Sequence, residues 1–352
     1  MDIDWIPNEL LRSPSPSIRY RIKKEVLELD PNLSAMRKLE EEILLDPLVL
    51  KTLELFGPAG FQGSRFHTQG LRKGEEALEV SLRIFFEKRV DPDHPKLKKA
   101  LDDLEAASPD FDREFHHVGG ILDKFGLGGS SLIRAYLLAR GGRGESKFVQ
   151  GEIAKVIRTL EYVAGVETLK DVAEDYRGKL VFRPGALWPD IYHFRLLAFT
   201  KSWRNAKNFW TVVKALTNLT RLSPIPSIYL KFKSRLVAPA TVYALDFSGN
   251  LHEFKEQEWA FWFERCELLG RMGILMEVPL LRKQVEALRG IVSSGAKQFR
   301  RFRKHRAWTN WSSYMGLALE SDWSSKEARV RDALFRSLLI LHFSGVLDRA
   351  QV

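Results

Sequence analysis

The sequence predicts an all-α fold closed into a ring of helix pairs, an α/α toroid, with minimal β-structure. Three observations predict it. Apolar residues recur at helical spacing through most of the 352 residues. An aromatic or glycine-rich cluster returns roughly every 60 residues, each time ahead of an apolar run. No low-complexity linker divides the chain, so 1–352 reads as one domain, with 1–50 as an N-terminal helical lead-in.

The elements follow in order. Ser15-Pro16 starts a helix over 17–29, with Ile18, Ile22, Val26 and Leu29 on one face. Asp30-Pro31 precedes a helix over 33–45, and Asp46-Pro47 one over 46–55, proline being tolerated in a first turn. Cluster 61–69 opens 71–86. Asp91-Pro-Asp-His-Pro95 breaks the chain before 97–107. Cluster 126–130 opens 132–139, and 148–163 is amphipathic through Ile153, Val156, Ile157, Leu160 and Val163. Cluster 188–193 opens 194–199, 203–222 repeats the amphipathic pattern, and 241–247 is the one strand candidate. Cluster 258–262 opens 263–276, 278–292 follows, and cluster 308–314 opens 315–320. A capping box from Ser324 to Glu327 starts the last helix, 325–343. The spacing exceeds the ~40–47 residues of a HEAT solenoid, which favours a closed ring over an open stack.

Composition narrows the class. Hydrophobic content of 45% and charged content of 28% are those of a globular protein. The single cysteine, Cys266, excludes an internal disulfide and a multi-cysteine zinc site. The acidic start, Met1-Asp-Ile-Asp-Trp5, is unlike the basic start of a signal peptide. No apolar run reaches the ~18 residues of a membrane span; the longest, 334–343, is broken by Arg336 and His342. The expectation is a cytoplasmic protein with no membrane span.

Charge is unevenly spread. Residues 1–200 carry 30 Lys/Arg against 32 Asp/Glu, and 201–352 carry 25 against 13. The excess concentrates at 201–250 and 297–306, where an anionic partner or a plain solvated face would each account for it.

Trp5-Ile-Pro-Asn-Glu-Leu-Leu11, Pro16-Ser-Ile-Arg-Tyr20, Trp188-Pro-Asp-Ile-Tyr-His-Phe-Arg-Leu-Leu197 and the stretch from Trp308 to Trp323 resemble bacterial proteins grouped with the terpenoid cyclase and protein prenyltransferase α/α toroids. The resemblance implies a toroid and, by analogy only, a cavity enzyme. The family's chemical motifs are incomplete. Asp110-Phe-Asp-Arg113 lacks the last acid of D-x-D-D, and Asp102-Asp-Leu-Glu105 only partly echoes D-D-x-x-D. Glu264-Arg-Cys266, with His305 or His342, has Glu where the prenyltransferase zinc site has Asp. One cysteine is too few for a lanthipeptide-cyclase zinc site. Neither a metal nor a cofactor is evident from the sequence.

The residues suited to proton transfer are His67, Asp112, His117, Tyr192 and His193, each at or near the start of a predicted inner helix. Arg195, Lys201, Trp203, Arg204, Trp308 and Trp311 combine planar cations with π faces suited to holding a substrate. Structural alternatives exist for each: a capping histidine, a polar turn, a packed aromatic. Lys73, Glu75 and Glu76 would be either cavity charges or a solvated first turn. The leading expectation is a cavity enzyme acting on a small or peptide-like substrate by histidine–carboxylate acid–base chemistry. One rival is a non-catalytic helical protein that grips nucleic acid or an acidic peptide with its basic C-terminal half. The other is a prenyl-diphosphate enzyme.

Overall fold

The computed structural model describes residues 5–63, 65–67, 77–107, 117–239 and 247–347. Helices dominate, as the apolar periodicity requires. The strands among these residues are three two-stranded antiparallel hairpins. No helix among them is long and apolar enough to cross a membrane. The contacts divide the chain into two compact units: 1–103 with 250–275 and 283–352, and 104–249 with 276–282.

The first unit is organised by helix Leu78–Lys88, all of whose residues are buried. Four of them, Glu79, Arg83, Glu87 and Lys88, are charged, and a buried charge persists only when paired. Lys88 Nζ meets Asp46 Oδ2 and the Leu319 carbonyl, both at 2.8 Å. Glu87 joins a network with Arg21, Glu267 and Arg336 at 2.6–2.9 Å. Arg21 also pairs with Glu25, which Arg89 and Arg271 share. Burial pushes the Glu267 carboxyl up, but Arg21, Arg336 and Arg271 outweigh it and hold it at about 2. The final helix, Lys326–Phe343, packs against Trp5–Leu11 and Glu256–Arg271. The N-terminal lead-in is thus part of this unit's packing.

In the second unit, Lys147–Ala164 and Ala206–Leu222 pack together, and Val149, Ile153, Val156 and Leu160 of the first and Val212, Leu216 and Leu219 of the second are buried. Two short buried helices, Ser130–Leu138 and Ile191–Ala198, pack on each other. Hairpins Ala173–Tyr176/Lys179–Phe182 and Leu230–Phe232/Arg235–Val237 are linked by a parallel bridge between Val181 and Tyr229.

Most start signals operate as the sequence implies. Ser15 accepts from Ile18 N and Asp46 from Leu48 N and Val49 N, each ahead of its proline. Four expectations change. The aromatic run 258–262 lies inside helix Glu256–Arg271 rather than in a loop before it, with Glu258 Oε2 accepting from Lys255 N at 2.7 Å at the helix start. Residues 315–320 form no helix; their backbone is held open by Arg83 and Asp332. The last helix is capped by Ser325, whose Oγ accepts from Ala328 N, while Ser324 bonds back to Asp322. Of the helix expected over 71–86, residues 71–76 lie outside the described residues; Ala77 is extended, and helix Leu78–Lys88 follows it, the Leu78 N–H donating to the Arg65 carbonyl. The strand candidate 241–247 falls outside the described residues except for Phe247, and Lys73, Glu75 and Glu76 lie outside them altogether.

Candidate active site

The second unit holds a cavity of about 530 Å³, within the usual range for small-molecule sites. A glycine turn shapes one wall. Gly126, Gly128 and Gly129 all have positive φ, at +66°, +81° and +143°. A Cβ at Gly128 would stand 2.4 Å from Asp190 Oδ2, and one at Gly129 2.4 Å from the Gly119 carbonyl. Both the conformation and the close approach therefore demand glycine. Because Gly129 offers no side chain, Asp123 caps the next helix from outside, its Oδ2 accepting from Ser131 N at 3.1 Å and Ser131 Oγ at 3.2 Å.

Asp190 caps helix Ile191–Ala198 through Oδ1, which accepts from Tyr192 N at 2.9 Å and His193 N at 3.3 Å. The same oxygen lies 2.8 Å from His193 Nδ1, and Asp190 N lies 3.0 Å from that nitrogen. Nδ1 has either one hydrogen or one lone pair to offer. With a hydrogen, Nδ1 donates to the carboxylate and leaves Nε2 as the base; without one, Nδ1 accepts from Asp190 N and leaves Nε2–H as a donor. His193 is buried, lines the cavity, and its Nε2 has no partner among the described residues.

The rest of the lining is polarised. Buried Glu152 and Thr159 share the lining with His193. Lys124, Lys155 and Arg158 are exposed at the mouth. Lys155 pairs with Glu152 at 2.5 Å; Lys124 and Arg158 make no ion pair among the described residues. The lining thus joins a buried, oriented imidazole to three exposed cations and two carboxylates, those of Asp123 and Glu152.

Of the residues singled out from sequence, His193 is the one in this lining. Tyr192 and Arg195 are buried behind it, the guanidinium 4.9 Å from the Tyr192 ring and 5.6 Å from that of Tyr136. Trp203 is buried, its indole N–H donating to the Leu197 carbonyl at 2.9 Å, with Arg204 over its ring; Lys201 is exposed. Asp112 lies outside the described residues, as does the His117 side chain, although His117 starts helix His117–Lys124.

The other sequence candidates belong to the first unit. His67 is buried with both ring nitrogens engaged: Nδ1 lies 2.5 Å from Glu79 Oε2 and 3.1 Å from Ser313 Oγ, and Nε2 lies 3.2 Å from Tyr314 OH. Ser313 Oγ also donates to Glu79 at 2.8 Å. Serine, histidine and acid are all present, but serine and acid share Nδ1, so this wiring does not activate a serine nucleophile. Trp308 stacks on Trp323 at 4.9 Å and donates to the Glu256 carbonyl. Trp311 lines a smaller cavity of about 230 Å³ with Lys88, Asp46, Glu320 and Trp323. No cluster of three or more potential metal-binding side chains occurs among the described residues.

Asp190, Lys124, Lys155 and Arg158 were not picked out by the sequence. Asp190 carried a signal, standing three residues before His193 at capping-box spacing. The three cations carried none, since they lie on amphipathic surfaces like any solvated lysine or arginine. No protein-family model matches the chain, and no curated protein or solved structure matches it.

Proposed function

We propose that the second unit's cavity is an acid–base site for a small anionic substrate, with His193 Nε2 as the proton acceptor. The observation that supports this most directly is the Asp190–His193 pair: a buried imidazole, fixed by a carboxylate, with its other nitrogen unpartnered in a cavity wall. Asp190 orients the ring and stabilises the imidazolium formed when Nε2 takes a proton. Lys124, Lys155 and Arg158 at the mouth favour a carboxylate or phosphate group on the substrate. The substrate's reacting C–H or O–H bond would then lie deeper, toward His193. Kinship with the terpenoid cyclase and prenyltransferase toroids, ring closure and a cytoplasmic setting belong to the same proposal. They rest on the helical content and the motifs quoted above.

The test is binding. Small carboxylates and phosphates are titrated into the protein while the His193 ring is followed by nitrogen-15 NMR. A ligand of this class should shift the Nε2 resonance, and the Lys124→Ala/Lys155→Ala/Arg158→Ala variant should lose the shift. If no anion perturbs His193, or if the triple variant binds as well as the parent, the proposal fails. Separate carboxylate and phosphate arms decide which group the rim prefers.

A further inference from the structure

The basic run 297–306 takes no part in that site and is the denser of the two basic stretches, with six cations in ten residues. Lys297, Arg300, Arg301, Arg303, Lys304 and Arg306 are all exposed. None makes an ion pair among the described residues. Six cations within ten residues span at most roughly 35 Å of chain.

Their backbone is fixed from behind. Phe299, Phe302 and Trp308 point inward and are buried, packing on one another and on Trp259 and Phe263. Arg329 Nε donates to the Phe302 carbonyl at 2.7 Å, and Arg303 N donates to Glu256 Oε1 at 2.7 Å. Glu256, a nearby acid, is thus engaged by backbone rather than by the exposed guanidiniums. The alternation of aromatic and basic residues is a two-faced segment, rings in and cations out.

We infer that 297–306 is a phosphate-backbone docking surface for double-helical nucleic acid, binding without sequence preference. Four of the six cations are arginines, whose planar fork matches phosphate oxygens. No base contact is available, because the aromatic rings that could stack on single-stranded bases are packed in the core. An anionic membrane is the poorer match, since the large apolar side chains of the segment are buried and none is left to insert.

The experiment measures binding of the full chain to a labelled DNA duplex, the same sequence single-stranded, and phosphatidylserine vesicles, over a salt series. The duplex should bind best, independently of sequence. The slope of log K against log salt should be about −5 if all six cations contact phosphate. Arg300→Ser/Arg301→Ser/Arg303→Ser should reduce its magnitude by about 3. The substituted side chains are exposed, and an unchanged circular dichroism spectrum confirms that the variant is folded. The inference is overturned if the single strand or the vesicle binds more tightly than the duplex. A salt slope unchanged by the triple substitution overturns it too, because the cations would then not be the contacts.

Discussion

Arg83 Nη1 stands 2.6 Å from the carbonyl oxygen of Ser312, a residue 229 positions later in the chain. The same guanidinium accounts for the carbonyls of Met315 and Gly316, at 2.6 and 3.1 Å. Three carbonyls of an irregular buried loop, 312–316, are satisfied by a single side chain from the central helix. Helix cannot form there while that helix claims the carbonyls, which is why the apolar run after Trp311 stays irregular.

Arg83→Met therefore leaves several buried acceptors without a donor. Each bond to a charged donor contributes about 1.5–3 kcal/mol. The expected loss is at least about 3 kcal/mol, seen as a lower urea midpoint. Arg83→Lys, with one ammonium instead of a fork, should recover only part of it. A midpoint unchanged in Arg83→Met would mean that the loop finds other donors.

Two glycines with similar backbone angles should respond differently to alanine. Gly142, at φ +85°, has nothing within 4 Å of an added Cβ, so Gly142→Ala should cost about 1–2 kcal/mol of backbone strain. Gly128→Ala adds a collision with Asp190 to the same strain. It should destabilise more and also displace the His193 ring, visible as a changed imidazole resonance. Equal effects from the two substitutions would contradict the close approach of Gly128 to Asp190.

Stability should peak on the acid side of neutrality. Burial pushes the Asp332 carboxyl up to about 6, against hydrogen bonds from Trp323 Nε1 and Leu319 N. Its folded value lies above the ordinary one, so the protonated form is favoured in the fold. The stability it contributes is full below about 4 and is lost as pH rises through 6, roughly 3 kcal/mol in all. Glu267, held at about 2, acts in the opposite sense. Its contribution is present above about 4.5 and lost as pH falls toward 2. The maximum should therefore lie near pH 4, about where the two slopes cancel. Asp332→Asn should remove the decline between about pH 4 and about pH 6.5 in a thermal-melting series, whereas a decline of unchanged size would assign it to another group.

His67 and His193, the two buried histidines among the described residues, should separate by phenotype. His67 fills both ring nitrogens with Glu79, Ser313 and Tyr314, so His67→Ala strips partners from a buried carboxylate and should lower stability by about 2–3 kcal/mol. His193→Gln should leave the melting temperature closer to that of the parent but remove the anion-dependent signal of the cavity. The reverse pattern would move the acid–base site to the first unit.

The sequence made the helices legible because their apolar faces repeat at helical spacing and their caps lie within a few residues of their starts. It marked His193 for the same local reason, the Trp188–His193 segment being an evident helix opening. What stayed hidden depends on distance. Trp308 and Trp203 read as ligand-binding aromatics, yet their burial and indole hydrogen bonds are set by residues a sequence window does not hold together. The division into two units was equally unreadable, since the first assembles from three separated stretches. Aromatic residues at 258–262 suggested a loop because bulky rings occur in binding loops and in cores alike; Glu258, whose carboxylate accepts from Lys255 N, was the better guide.

The charged network around Arg21 also bears on the order in which the chain can be made and folded. Its members come from both extremes of the first unit: Arg21 meets Glu267 across 246 positions and Glu87 meets Arg336 across 249. While the polypeptide emerges from the ribosome, Arg21 and Glu87 can pair with each other, but Glu87 and Glu267 each lack a cation until the segment bearing Arg336 arrives. The first unit should accordingly remain protease-sensitive on stalled chains that stop before residue 326, and become resistant abruptly once Lys326–Phe343 has cleared the exit tunnel.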